Sequence, residues 1–164
     1  CHKGFLVKSN RVRDTRGTLY HRDCYDRERA RRQSQKTEPV NEELHHAAAQ
    51  GDVNLIDILI SRGVDINGKA SGSAFTPLHV AAFGGRVASA ERLLENGADC
   101  NARDDGGLTP LHIAAHQGEN DFVRLLLANG ADIRAKSNSN LTPQKYAILG
   151  SHYDTAALLE QMGG

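Results

Sequence analysis

Three of the eight histidines recur at nearly equal intervals, and an imidazole can act as a general base or bind a metal ion. They are His45, His79 and His112, and the first interval is longer than the second by a single position. A hydrolytic site would also need a nucleophile and an orienting acid, and the sequence around these histidines supplies neither. We therefore expect structural histidines, each hydrogen-bonded to the backbone of a neighbouring loop, in a protein that is not an enzyme.

A second set of metal-ligand residues lies at the N-terminus. Cys1, His21 and Cys24 follow the order C-x19-H-x2-C, and thiolates and imidazoles are the usual ligands of structural zinc. With the stretch Tyr20–Tyr25 (YHRDCY), this pattern resembles part of a LIM-type zinc finger, which implies zinc as the cofactor of these three residues. The first cysteine of that family would lie before residue 1, and Arg27 replaces the cysteine that opens its second site. The alternative is a degenerate finger without zinc.

Charge divides the chain into two parts of different character. Residues 1–36 contain 11 Lys and Arg against 4 Asp and Glu, whereas residues 37–164 contain 9 against 16. A basic stretch attracts phosphate, but no stacking aromatics or reading helix accompany it, so we expect no nucleic-acid partner. Ser34 follows Arg31-Arg32-Gln33, the type of basic sequence that protein kinases select, and is a candidate phosphorylation site.

The remainder of the chain is periodic. The tetrapeptide TPLH begins at Thr76 and again at Thr109, and Thr142-Pro143 opens a third copy after the same interval. Each threonine can cap a helix whose first position is a proline. A second apolar helical pattern follows and ends at Gly97 or Gly130, where glycine supplies the positive φ favoured just past a helix end. One such unit cannot bury its own apolar face, so neighbouring units must stack.

The TPLHxAA motifs, the NGAD tetrapeptides at Asn96 and Asn129 and the period together resemble the ankyrin-repeat family. The resemblance implies an all-α solenoid of four helix–turn–helix repeats with hairpin-like loops, preceded by a short irregular or β-hairpin segment. In that segment, Phe5–Val7, Val12 and Leu19-Tyr20 flank a turn-forming stretch at residues 14–17. The predicted divisions are a basic LIM-like segment at 1–32, a linker at 33–40, and repeats at 41–70 (N-terminal cap), 71–103, 104–136 and 137–164 (C-terminal cap).

In ankyrin repeats the partner is usually held on the concave face, which is built from the loop tips and the first helix of each repeat. We expect Phe75, Phe83, Leu108 and His116 to lie close together there, although Phe75 and Leu108 could instead be scaffold beneath the loops. Asn67 and Asn101 match the asparagine that oxygen-dependent hydroxylases modify in many ankyrin repeats; loop-holding hydrogen bonds also explain both. The predicted partner-binding residues are Gln50, Ser73, Phe75, Phe83, Asp105, Leu108, His116, Gln117, Asn138 and Leu141.

The sequence therefore predicts a non-catalytic protein–protein interaction module or adaptor. We expect a monomer without a membrane span, a repeat region without a cofactor, and another protein as the partner. Three widely spaced cysteines do not form a disulfide framework, which favours an intracellular protein of the cytoplasm or nucleus, and Cys100 fits a buried apolar position. The alternative is a zinc-dependent targeting protein whose N-terminal finger docks a partner or nucleic acid, with the repeats as scaffold. Because residue 1 is not methionine, we expect a piece of a longer protein.

Overall fold

The computed structural model describes residues 11–13, 19–21 and 42–163, and it divides into two units, Cys1–Pro39 and Val40–Gly164. In the first unit, strand β1 (Arg11–Arg13) pairs antiparallel with strand β2 (Leu19–His21), with Val12 opposite Tyr20. This pairing agrees with the hairpin predicted from Val12 and Leu19-Tyr20. The predictions for Phe5–Val7, Cys1, Cys24 and Ser34, like that for the His21 side chain, lie outside the described residues.

The second unit contains four pairs of helices, one pair for each predicted repeat, and the predicted all-α repeat solenoid is confirmed. Helix α1 covers residues 42–50. The helices that follow are α2 (Val53–Ser61), α3 (Pro77–Phe83), α4 (Val87–Glu95), α5 (Pro110–Gln117), α6 (Asn120–Ala128), α7 (Pro143–Leu149) and α8 (Tyr153–Gln161). Within the described residues, no helix is both long enough and apolar enough to cross a membrane.

The repeated TPLH motif starts the first helix of each internal repeat. Thr76 and Thr109 are the N-caps of α3 and α5, and each forms a capping box with the histidine three residues later. The backbone amide of Thr76 donates to Nδ1 of His79 at 3.2 Å, and the Thr109 amide donates to Nδ1 of His112 at 3.1 Å. A histidine therefore does at these helix starts what glutamate does in the commoner capping box.

The core is a continuous layer of small and branched side chains between successive repeats. Ala48, Ala82 and Ala115 occupy equivalent positions in the first three repeats and are completely buried. Alanine at these positions lets the first helix of one repeat approach the first helix of the next. Among the described residues, Phe122 is the largest fully buried side chain. Burial is therefore shared between neighbouring repeats, as expected for a solenoid.

Short hairpin-like loops connect the repeats. The amide of Asp104 donates to the carbonyl of Leu108 at 3.0 Å, and the amide of Ser137 donates to that of Leu141 at 2.9 Å. The first loop is closed by the bond from Ala70 to Phe75, which spans one more residue. That difference accounts for the longer interval between the first two repeats.

Candidate functional site

The repeated histidines connect each repeat to the loop of the next one. Nε2 of His45 lies 2.7 Å from the carbonyl oxygen of Phe75. His79 and His112 make the equivalent contact with Leu108 and Leu141, each at 3.1 Å. The predicted structural role of these three histidines is confirmed.

The contacts of His79 and His112 determine the protonation state of both rings. A carbonyl oxygen can only accept, so Nε2 carries the hydrogen, and Nδ1, which accepts from a threonine amide, does not. Burial lowers the pKa of both histidines, although the hydrogen bonds of Nε2 to Leu108 and Leu141 act in the opposite direction. Both rings are therefore neutral in the folded protein, and they serve the scaffold through hydrogen bonds.

His45, His79 and His112 together form a ladder of histidines along the repeats. An apolar groove lies beside this ladder, on the side of the loops and first helices. Its volume is about 250 Å³, space for one large side chain of a partner. The loops supply two walls, Phe75 and Leu108, and the helices α3, α5 and α7 supply the others. The lining residues are Phe75, Phe83, Leu108, His112, Ile113, His116, Gln117 and Tyr146.

Aromatic contacts hold the walls of the groove in place. Phe75 stacks on His79 with ring centroids 5.6 Å apart. The Tyr146 ring makes T-shaped contacts with His112 and His116, with centroids 5.3 Å and 6.3 Å apart. Phe83, by contrast, is 64% exposed. The groove therefore has two aromatic walls held by ring contacts, Phe75 and Tyr146, and one exposed aromatic ring, Phe83, that a partner can cover.

Five of the ten predicted binding residues line this groove: Phe75, Phe83, Leu108, His116 and Gln117. Phe75 and Leu108 are half-buried and serve the scaffold as well, since their carbonyl groups accept from the histidine ladder. The other five predicted residues lie outside the groove lining, at Gln50, Ser73, Asp105, Asn138 and Leu141.

Most of these five have contacts of their own within the repeats. The Gln50 amide lies 2.7 Å from Nε2 of His46. Asn138 donates to the carbonyl of Asp105 at 2.9 Å, joining two successive loops. Leu141 receives the bond from the histidine ladder, and Ser73 is half-buried in the first loop. These hydrogen bonds lie within the scaffold, and those of Asp105 and Leu141 use only their backbone carbonyl groups.

Sequence reasoning did not select Tyr146, Ile113 or His112 as site residues. Tyr146 stands where the internal repeats have Val80 and Ile113, in a repeat that departs from the TPLH pattern. An aromatic residue replacing an aliphatic one at the first helix of a terminal repeat was the signal that could have revealed it.

The two candidate modification sites, Asn67 and Asn101, connect successive loops. The Asn101 side chain accepts from the amide of Asp132 at 2.8 Å and donates to the carbonyl of Gly130 at 3.1 Å. Asn67 makes the same pair of bonds to Asp99 and Gly97. The loop-holding role is confirmed for both asparagines, and their hydroxylation stays a prediction.

Cys100 is less buried than its aliphatic position suggested. It is half-buried, and its thiol donates to the carbonyl of Asn129 at 3.4 Å. Burial, together with the neighbouring carboxylate of Asp99, raises the pKa of the Cys100 thiol. The Cys100 side chain therefore acts as a weak hydrogen-bond donor within the scaffold, and its raised pKa disfavours the nucleophilic thiolate.

Family comparisons match the part of the chain that contains these repeats. The model of ankyrin repeats in many copies matches residues 70–114 and 93–147, and the single ankyrin-repeat model matches residues 43–70. The chain belongs to the ankyrin-repeat family. Its repeats form a protein–protein interaction module, the role for which ankyrin arrays are generally used.

The curated relatives of the chain differ widely in kind. Over 62 residues the chain is 42% identical to potassium channel AKT3 of Oryza sativa subsp. japonica, covering 38% of this chain and 7% of the channel. It is 41% identical over 66 residues to alpha-latrotoxin-Lh1a of Latrodectus hasselti, covering 40% of this chain and 5% of the toxin. It is 39% identical over 64 residues to E3 ubiquitin-protein ligase KEG of Arabidopsis thaliana, covering 39% of this chain and 4% of the ligase.

The chain thus matches less than a tenth of the length of each of these relatives. A channel, a toxin and a ligase have no activity in common, so the shared segment carries a fold rather than an activity. Function must therefore be argued from the surface of this ankyrin array itself.

Proposed function

We propose that this ankyrin array is an adaptor that binds a partner protein by inserting one bulky apolar side chain of the partner into the groove. The observation that supports it is Phe83, a large apolar ring that lines the groove and is left 64% exposed. Covering such a ring removes apolar area from water, which favours binding by about 25 cal/mol per Å².

The surroundings of the groove favour a polypeptide as the ligand. The exposed ring of His116 and the half-buried side chain of Gln117 lie at the groove and offer hydrogen-bonding groups beside apolar walls. A peptide backbone needs such partners next to the pocket that receives its side chain, whereas a lipid chain does not. The groove therefore combines an anchor site with the means to fix the orientation of an extended segment.

The test is capture from a cell extract on four matched baits. These are the whole chain, residues 41–164, the whole chain carrying Phe83→Ala with His116→Ala, and the whole chain carrying Ile58→Ala. Ile58 is an exposed apolar residue of α2 that lies away from the groove lining, and it serves as the control. A protein retained by the first, second and fourth baits and lost from the third supports the proposal. If the double variant retains every captured protein, the groove is not the binding site.

We also propose a second candidate, in which the N-terminal unit docks a partner with zinc bound by Cys1, His21 and Cys24. It is favoured by the antiparallel pair β1–β2, because the second strand ends at His21, the start of the His-x2-Cys sequence. Zinc content of the purified chain, compared with that of Cys24→Ser, is the measurement. Equal zinc in both proteins would exclude the site. If residues 41–164 capture every protein that the whole chain captures, a docking role for the N-terminal unit is excluded.

A further inference from the structure

The outer end of the last repeat differs from the outer ends of the three repeats before it. Because Thr142-Pro143 repeats Thr109-Pro110, the helical positions of the third repeat have counterparts in the fourth. The pairs, with the third repeat first, are His112 and Lys145, Ala115 and Ile148, His116 and Leu149, Gly118 and Ser151, and Asn120 and Tyr153.

The third-repeat members of these pairs contact the fourth repeat. His112 donates to the carbonyl of Leu141, and Asn120 accepts from the hydroxyl of Thr155 at 2.8 Å. A Cβ atom on Gly118 would meet the ring of His152. Their counterparts therefore point beyond the fourth repeat. We refer to Lys145, Ile148, Ser151 and Tyr153 as the terminal face, with Leu149 at its edge.

The terminal face is apolar where a terminal repeat is expected to be polar. Ile148 is 46% exposed, whereas the equivalent alanines of the first three repeats are completely buried by the following repeat. Tyr153 and Leu149 are exposed to 67% and 63%. A cluster of three large exposed apolar side chains marks a surface that a partner covers.

Another repeat stacked in the same register is a poor occupant of this face. Isoleucine at position 148 fills the space that alanine leaves for the next helix. Ser151 adds a Cβ atom at the glycine position, where a Cβ on Gly85 would approach Glu119 to 2.7 Å. Lys145 also replaces the histidine of the ladder, so a following repeat would lack the hydrogen bond from that histidine to its loop. These residues themselves oppose a fifth repeat packed in the ordinary way.

We propose that the terminal face binds the terminal face of a second copy of this chain, forming a two-fold symmetric dimer. An isologous interface must be complementary to itself. The face carries one cation, Lys145, and helix α8, which contributes Tyr153 to the face, also carries two exposed acids, Asp154 and Glu160. Two-fold symmetry would therefore give two ion pairs flanking a centre of Ile148 and Tyr153. This inference reverses the monomer expected from the sequence.

The dimer goes beyond the proposed adaptor function, because it would present two ankyrin grooves from one assembly. A partner with two copies of the anchoring segment would then bind with a higher apparent affinity than either groove provides. The two proposals rest on different residues. Ile148 and Tyr153 lie outside the groove lining, so a variant at either one can lose the dimer and keep the groove.

The first experiment is sedimentation equilibrium of the full chain over a wide range of concentrations. We expect a reversible monomer–dimer equilibrium whose dissociation constant rises at least about tenfold in Ile148→Arg. Ile58→Arg is the matched control, since Ile58 is also an isoleucine with 46% exposure. A wild-type chain that stays monomeric at every concentration would overturn the proposal, as would equal effects of the two variants. Far-UV circular dichroism establishes that both variants are folded.

The second experiment tests the charge pairing by mixing two variants. Lys145→Glu alone and Asp154→Lys with Glu160→Lys alone each place like charges opposite one another, so both should dimerise more weakly than the wild type. Their equimolar mixture restores opposite charges, and we expect it to form heterodimers at least about tenfold more stable than either homodimer. A mixture that associates no better than its components would exclude this arrangement of the two copies.

Discussion

The Nε2 atom of His79 lies 3.1 Å from the carbonyl oxygen of Leu108, a residue 29 positions later in the next loop. The same ring accepts the amide of Thr76 at its other nitrogen. One neutral imidazole therefore caps its own helix and fixes the following loop, and Leu108 is at the same time a wall of the apolar groove. The scaffold and the proposed binding site share this contact.

Stability should fall in mild acid because the ladder histidines are neutral in the folded protein. Burial lowers the pKa of His79 and His112 below the usual 6.5, so the unfolded chain takes up protons first. The contribution of these two histidines to the free energy of unfolding should therefore be constant above about pH 7 and decrease as the pH falls through about 6.5. Urea denaturation at a series of pH values measures it.

The control for this prediction is the double variant His79→Gln with His112→Gln. Each substitution removes buried hydrogen bonds and should cost about 1–3 kcal/mol at neutral pH. The double variant should also lose much of the dependence on pH between about 7 and 5, since it lacks the two groups that titrate there. An unchanged slope would assign the acid sensitivity to other residues.

Two glycines with the same backbone conformation should differ in their tolerance of a side chain. Gly63 has a φ of 78° and Gly118 a φ of 76°, but only the Cβ position of Gly118 meets a neighbour, the ring of His152. Gly63→Ala should cost about 1 kcal/mol for its left-handed backbone. Gly118→Ala should cost about 1–3 kcal/mol more because the next repeat must shift. Thermal or urea unfolding of both variants measures the difference.

A double-mutant cycle separates steric contact from backbone strain at Gly118. His152→Ala removes the ring that the new Cβ would meet, and it should recover the extra cost of Gly118→Ala but leave the backbone cost. If the two substitutions are additive, the ring does not cause the glycine requirement.

The repeats could be predicted from the sequence because their signals are local. Thr76 and Thr109 cap helices, prolines follow them, and Gly97 and Gly130 have the positive φ expected just past a helix end. Each of these features depends only on residues a few positions apart in the sequence. The longer first loop was also visible, because His45 and His79 lie further apart in the sequence than His79 and His112.

The groove could be predicted only in part because it is assembled from three repeats. Phe75, Phe83, Leu108 and His116 were selected by their position in the repeat, and they do lie around one groove. Tyr146 was not selected, since its role depends on the packing of α7 against His112. The apolar terminal face was also missed, because the sequence shows isoleucine at position 148 but not that Ile148, Leu149 and Tyr153 all remain exposed.

Asn101 should contribute to the coupling between the second and third repeats. Asn101→Ala removes the bonds to Asp132 and Gly130 and should lower the free energy of unfolding by about 1–2 kcal/mol. Asn96→Ala is the control, because the Asn96 side chain bonds within its own repeat, to Arg92. Similar costs for the two variants would mean that the inter-loop bonds add nothing to coupling.

Tyr146 should contribute to partner binding through its ring rather than its hydroxyl group. The ring lines the groove and makes T-shaped contacts with His112 and His116, so Tyr146→Phe should retain the affinity for a partner captured as described above. Tyr146→Ala removes one wall and should weaken that affinity by about tenfold or more. Titration calorimetry with the purified partner gives both values. A large loss in Tyr146→Phe would instead identify a hydrogen bond from the hydroxyl to the partner, and the groove would then be a polar site with apolar walls.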